Sequence, residues 1–241
     1  MIYLREIRVD IDGLRDSGSY VYSLPLMRNF SGITFDSSVT FFVGENGSGK
    51  STLIEGIAIS AGFNPEGGSK NFNFSTRDSS SDLYRYMKLV KNPVGKWRDG
   101  YFLRAESFYN VATNIEELDR IPAASEKISK SYGNRSLHEL SHGESFMALM
   151  CERFLGHGLY ILDEPEAALS PARLIAMLDL MRELVGDGSQ FIISTHSPIL
   201  TAYPDAVIYE ISGDGIHRTD WRHTTNYMLT KRFLDDPGSF L

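Results

Sequence analysis

Between Val39 and Thr52 the chain reads VTFFVGENGSGKST, and Gly44, Gly49, Lys50 and Ser51 fall on the pattern G-x-x-x-x-G-K-[ST]. These residue types at this spacing suit a chain of phosphates. Glycine has no Cβ and tolerates positive φ, so the backbone N–H groups of Glu45, Asn46, Gly47 and Ser48 can approach an anion closely. A helix that begins at the end of the loop adds free N–H groups and a favourable dipole, which brings Thr52 into the binding set. Lys50 is expected to reach the β- and γ-phosphates and to act in catalysis, and the Ser51 hydroxyl to ligate Mg²⁺.

Three more clusters carry chemistry. Gly158 to Pro165 reads GLYILDEP, an apolar run that delivers Asp163 and Glu164 at its end. Beside a phosphate loop, Asp163 is expected to hold Mg²⁺ and Glu164 to orient and deprotonate a water molecule. Gln190 to Pro198 reads QFIISTHSP and ends in His196, a candidate hydrogen-bond donor to the terminal phosphate. Leu140 to Glu144 reads LSHGE, where a hydroxyl and a glycine before a helix leave N–H groups available to a phosphate.

The elements that must position these residues are legible from periodicity. Val39 to Val43 is an apolar, β-branched and aromatic strand; Leu53, Ile54, Ile57, Ala58 and Ala61 mark a helix that closes at Gly62. Strands are expected at Gly100–Arg104 and Leu159–Leu162 and from Gln190 to His196, and a helical segment over Ser81–Val90. Ser170 and Pro171 open a helix whose apolar face is Leu174, Ile175, Leu178 and Met181. Residues 1–12 alternate like an edge strand, Val21 to Phe30 suits a loop or edge strand, Gly213-Asp214-Gly215 closes a hairpin, and Thr224–Leu234 is a last helix. Tyr20, Tyr22 and Phe30 are the candidates for stacking an adenine ring.

A chain of 241 residues suits one large α/β domain, and no apolar run approaches the length of a membrane span. The single Cys151 excludes an internal disulfide; among Phe146, Met147, Leu149, Met150 and Phe154 it reads as a buried thiol. This composition points to a cytoplasmic protein. The net charge of −7 argues against a surface that binds nucleic acid constitutively. From Lys70 to Arg104, however, eight basic residues stand against three acidic ones, with aromatics interleaved. That stretch reads as a lobe with an aromatic core and a solvated basic face, with a nucleic-acid partner as the alternative.

GENGSGKST, LSHGE, YILDEP and STHSP stand in one order, and together they resemble the ABC-type ATPases from about Val39 to Pro198. The wording is closer to the branch of SMC, RecF and OLD proteins than to transporter subunits, and over its whole length the chain is similar to small stand-alone bacterial AAA-family ATPases. The resemblance implies an α/β P-loop NTPase: a mainly parallel sheet flanked by helices, an N-terminal antiparallel β part, and a lobe inserted at about residues 63–138 of a single domain spanning 1–241. It further implies an ATP-dependent homodimer in which Ser141, Gly143 and Glu144 of one subunit face the phosphate loop of the other. The resulting expectation is a Mg²⁺-dependent ATPase that acts as a switch on a protein or nucleic-acid partner in DNA maintenance or defence. The alternatives are the ATP-binding subunit of a membrane transporter and an ATP-sensing clamp with little turnover. The chain departs from the family pattern in three places. His142 and Glu144 replace Gly and Gln, Ser170 stands where Asp is usual, and no glutamine follows Arg104; Glu106 is the nearest polar residue and takes that place as a metal candidate.

Overall fold

The computed structural model describes residues 1–69, 81–105 and 142–241. In chain order its elements are β1 (Leu4–Val9), α1 (Ile11–Asp16), β2 (Ile33–Thr34), β3 (Val39–Gly44), α2 (Lys50–Ala61), β4 (Met87–Lys91) and β5 (Asp99–Arg104). There follow α3 (His142–Arg153), β6 (Gly158–Asp163), α4 (Pro171–Gly186), β7 (Gln190–Ser194), α5 (Pro198–Thr201), β8 (Val207–Ser212), β9 (Gly215–Thr219) and α6 (Thr225–Asp235).

Six strands form the main sheet in the order β5-β6-β7-β3-β8-β9; all its pairings are parallel except the β8–β9 hairpin. Such a sheet needs cover on both faces, and β3, β6 and β7 accordingly lack the polar alternation of a half-exposed strand. Along β3, Val39, Phe41 and Val43 enter one core with α3 and α4, while Phe42 enters the other with α2. Removing a Phe or Ile side chain completely from water contributes about 1.5–3 kcal/mol, so these central strands dominate stability. A second sheet, β2-β1-β4, is antiparallel and lies on the α2 side. The α/β core with an N-terminal antiparallel part is therefore present as expected.

Several local expectations are corrected. β1 is the middle strand of its sheet, because both flanks are paired, by β2 and by β4. Ser81–Val90 is a 3₁₀ turn over Asp82–Tyr86 followed by β4, since pairing with β1 outweighs local helical pattern. Val21–Phe30 contains 3₁₀ turns at Tyr20–Ser23 and Pro25–Met27, and Phe30 is buried in the core. Tyr20 and Tyr22 are exposed. Cys151 is exposed too, because the buried face of α3 runs through Phe146, Leu149 and Met150. On α4 the buried residues are Leu174, Met177, Met181 and Leu184, which leaves Ile175 on the solvent side. In the basic stretch, Tyr101 and Phe102 are core, whereas Arg85, Lys88, Lys91, Lys96 and Arg98 are exposed; residues 70–80 lie outside the described residues.

One side chain joins the two sheets. Gln190, fully buried in β7, accepts hydrogen bonds at Oε1 from the backbone N–H groups of Tyr3 (2.7 Å) and Leu4 (2.9 Å), and its Nε2 donates to the Leu4 carbonyl (3.0 Å). Gln190→Leu would leave all three main-chain groups unsatisfied, and such losses cost about 1–3 kcal/mol each. A destabilisation of at least about 3 kcal/mol is expected in urea titration. A change below 1 kcal/mol would refute the clamp.

Candidate functional site

The carboxyl ends of β3, β6 and β7 meet at one edge of the parallel sheet, where open α/β sheets bind ligands. β3 ends in Gly44, whose φ is +146° and where a Cβ would lie 2.3 Å from the Ile211 carbonyl oxygen, so no side chain fits there. The loop then turns into α2, which starts at Lys50. At Gly47 (φ +78°) a Cβ would meet nothing within 4 Å, so the cradle there opens outward. Asn46, Gly47, Gly49, Lys50, Ser51 and Thr52 line a cavity of about 660 Å³ together with Asp163 and Glu164. Glu45 and Ser48 line a neighbouring one with His196.

Lys50 is almost completely buried, and its Nζ donates to the carbonyl oxygens of Gly44 (2.9 Å) and Glu45 (3.1 Å). Burial pulls its pKa down, and the carboxylates of Glu164, Asp163 and Glu166 oppose that shift. Glu164 Oε1 lies 3.9 Å from Lys50 Nζ and 3.2 Å from His196 Nε2. Glu164 has φ +50°, a costly conformation for a side-chain-bearing residue; its N–H is held by the Ser194 carbonyl (3.1 Å) and Ser194 Oγ (3.2 Å). Asp163 is buried, and its Oδ1 accepts from Ser51 Oγ (3.1 Å) and from Ser194 Oγ (2.5 Å).

The residues fit a nucleotide and its metal. Ser48 Oγ is a buried atom without a hydrogen-bond partner among the described residues, and His196 Nε2 has only the Glu164 carboxylate beside it, at 3.2 Å, as groups that would turn to a phosphate do. A serine hydroxyl beside a carboxylate is a hard-oxygen pair suited to Mg²⁺. Among the described residues no group of three His, Cys, Asp or Glu could cage a metal without further ligands.

Gly143 and Glu144 sit in the first turn of α3 and do not line either cavity. A Cβ on Gly143 would lie 2.7 Å from the Ala168 carbonyl oxygen and 2.4 Å from Arg173 Nη1, and Glu144 pairs with Arg173 at 3.3 Å. Ser141 and Glu106 lie outside the described residues.

Four residues of this site escaped the sequence reading. Ser194 was hidden as the last residue of a buried strand. Glu166 accepts a hydrogen bond from the His196 N–H, and burial raises its pKa. Glu55 and Arg104 form an ion pair at 2.6 Å. The one available signal was Glu55 standing four residues after Ser51, on the same helix face.

A strand, a glycine loop and a helix that carry Lys50 and Ser51, facing two acids at the end of a parallel strand, define a P-loop NTPase. Residues 14–148 match the AAA domain family model, and the chain belongs to that family; a second AAA domain model matches residues 115–202. The chain is 26% identical over 207 residues to the manganese transport system ATP-binding protein MntA of Synechocystis, covering 80% of this chain and 76% of the relative. It is 31% identical over 169 residues to the energy-coupling factor transporter ATP-binding protein EcfA1 of Fusobacterium nucleatum, covering 64% and 61%. Among solved structures it resembles MJ1267, an ATP-binding cassette of an ABC transporter, with TM-score 0.50, 21% identity and coverage of 98% and 96%. It likewise resembles an SmcHead bound to the C-winged helix domain of ScpA, with TM-score 0.51, 16% identity and coverage of 90% and 97%. The protein is an ABC-type P-loop ATPase that uses ATP with Mg²⁺. No helix among the described residues is long and apolar enough to cross a membrane.

Proposed function

We propose that this chain is a cytoplasmic ATP-driven switch: one ABC-type domain with an inserted lobe, two copies of which close around two ATP molecules and reopen after hydrolysis, moving a partner in DNA maintenance or defence. The observation that carries this reading is the separation, among the described residues, of two groups of motif residues. Lys50, Ser51, Asp163 and Glu164 share a cavity that Gly143 and Glu144 do not line. A second copy would bring its Ser141, Gly143 and Glu144 to that open side.

Within the site, Lys50 exchanges the Gly44 and Glu45 carbonyls for phosphate oxygens. Mg²⁺, when bound, neutralises phosphate charge and orients the terminal phosphate. Ser51 and Asp163 hold it. Glu164 takes the proton of the attacking water at its carboxylate, and His196 donates from Nε2 to the terminal phosphate. Tyr20 and Tyr22 remain the candidates for the adenine.

The test is the solution mass of the Glu164→Gln protein, which should be monomeric alone and dimeric with Mg-ATP. A monomer under both conditions would sink the homodimer. Repeating the measurement with single-stranded and duplex DNA tests the exposed basic residues of the β4–β5 region for nucleic-acid contact. A second reading, the ATP-binding subunit of a membrane transporter, draws support from the names of the MntA and EcfA1 relatives. It predicts a stable complex with an integral membrane protein instead of a self-sufficient dimer.

A further inference from the structure

At the metal side of the site an arginine occupies ground that the catalytic motifs leave unassigned. Arg104 ends β5 and pairs in register with Asp163 at the end of β6, so both side chains emerge on the same side at the sheet edge. Its Nη1 donates to Glu55 Oε2 at 2.6 Å, and its Nε lies 3.6 Å from Asp163 Oδ2. Glu55 is buried in α2, where its Oε1 accepts from the Ser81 N–H at 2.8 Å. Four residues earlier on the same helix, Ser51 donates to the other oxygen of Asp163. Ser51, Asp163, Arg104 and Glu55 are therefore linked in a row, with one guanidinium between two mostly buried carboxylates.

Charges withdrawn from water interact more strongly than exposed ones, and a cation already paired with Asp163 competes with Mg²⁺ for the same carboxylate. Glu55 competes in turn for the arginine. We infer that Arg104, anchored by Glu55, is a positioning residue that sets how much Mg²⁺ is needed to occupy the Asp163–Ser51 side of the site. With Asp163 partly neutralised by Arg104, Mg²⁺ enters together with nucleotide phosphates and not in advance of them. The inference rests on the proposed role of Asp163 and Ser51 as the Mg²⁺ side of the site.

The test titrates MgCl₂ against binding of a ribose-labelled fluorescent, non-hydrolysable ATP analogue and reads the Mg²⁺ concentration at half-maximal binding. Arg104→Gln removes the competing cation and should lower that concentration about tenfold. Glu55→Gln takes away the anchor, commits Arg104 to Asp163, and should raise it by a similar factor. A purely structural pair would shift both variants in the same direction, so opposite signs are the diagnostic result. The Glu55→Gln/Arg104→Gln double variant leaves no buried Glu55 carboxylate without its partner, and should behave as Arg104→Gln does even if that single variant folds poorly. Asp163→Asn separates the two failures. If it leaves the Mg²⁺ dependence unchanged, Asp163 is not the metal-side residue. If it abolishes the dependence while the Arg104 and Glu55 variants shift together or not at all, the competition is overturned.

Discussion

Glu164→Gln is expected to bind Mg-ATP about as tightly as the natural chain and to hydrolyse it roughly 10²–10³-fold more slowly, within the range a positioned general base contributes. Gln has nearly the same shape, so its amide oxygen can keep the contacts near Lys50 Nζ and His196 Nε2 that Glu164 Oε1 makes at 3.9 and 3.2 Å. It cannot accept a proton from water. The backbone at this position has φ +50° and is held by two hydrogen bonds to Ser194 from the Glu164 N–H, neither of which involves the side chain that changes. The site geometry should therefore survive the substitution. Phosphate release under saturating ATP is the measurement, and a rate within threefold of the natural chain would remove Glu164 as the base. Such a result would favour an ATP-sensing clamp.

Lys50→Ala should lose ATP binding itself, by about 100-fold or more. Lys50 is 4% exposed and its side chain is already withdrawn from water, so much of its desolvation has been met before the nucleotide arrives. A hydrogen bond to a charged group contributes about 1.5–3 kcal/mol, and about 2.7 kcal/mol corresponds to a hundredfold in affinity. The substitution also leaves the Gly44 and Glu45 carbonyls without the donor they have at 2.9 and 3.1 Å, which lowers stability as well. Lys50→Met, which keeps most of the volume, separates the two effects. It should melt closer to the natural chain yet bind ATP as weakly as Lys50→Ala. Calorimetric titration with a non-hydrolysable analogue reads the affinity, and a loss of less than fivefold in both variants would place the phosphates away from this loop.

Much of the architecture can be read from local pattern because the informative segments are buried on every side. β3, β6 and β7 are nearly continuous apolar runs, and each leads into residues singled out for chemistry: Gly44, Asp163 with Glu164, and His196 two residues past the end of β7. Local pattern misled where a segment has only one buried face or takes its partner from far along the chain. Asp82–Tyr86 and β4 pack on α2 and β1, and nothing within ten residues signals that pairing. Cys151 and Ile175 lie on helices whose buried stripe is set by the neighbouring helix and sheet, so a one-residue error in phase put both on the wrong side.

From sequence alone, residue type and spacing determined the phosphate loop, the acids after β6 and the histidine after β7, since each depends on a strand and the few residues that follow it. Tertiary structure alone decided what those residues touch. Ser194 and Ser51 converge on Asp163 from β7 and α2, and Arg104 is shared between Asp163 and Glu55. Gln190 ties β1 to β7 across 186 residues. These contacts join residues about 30 to more than 180 positions apart, and neighbouring strands in the sheet are not neighbours in the chain. Only strand order and register can bring such side chains within hydrogen-bonding distance.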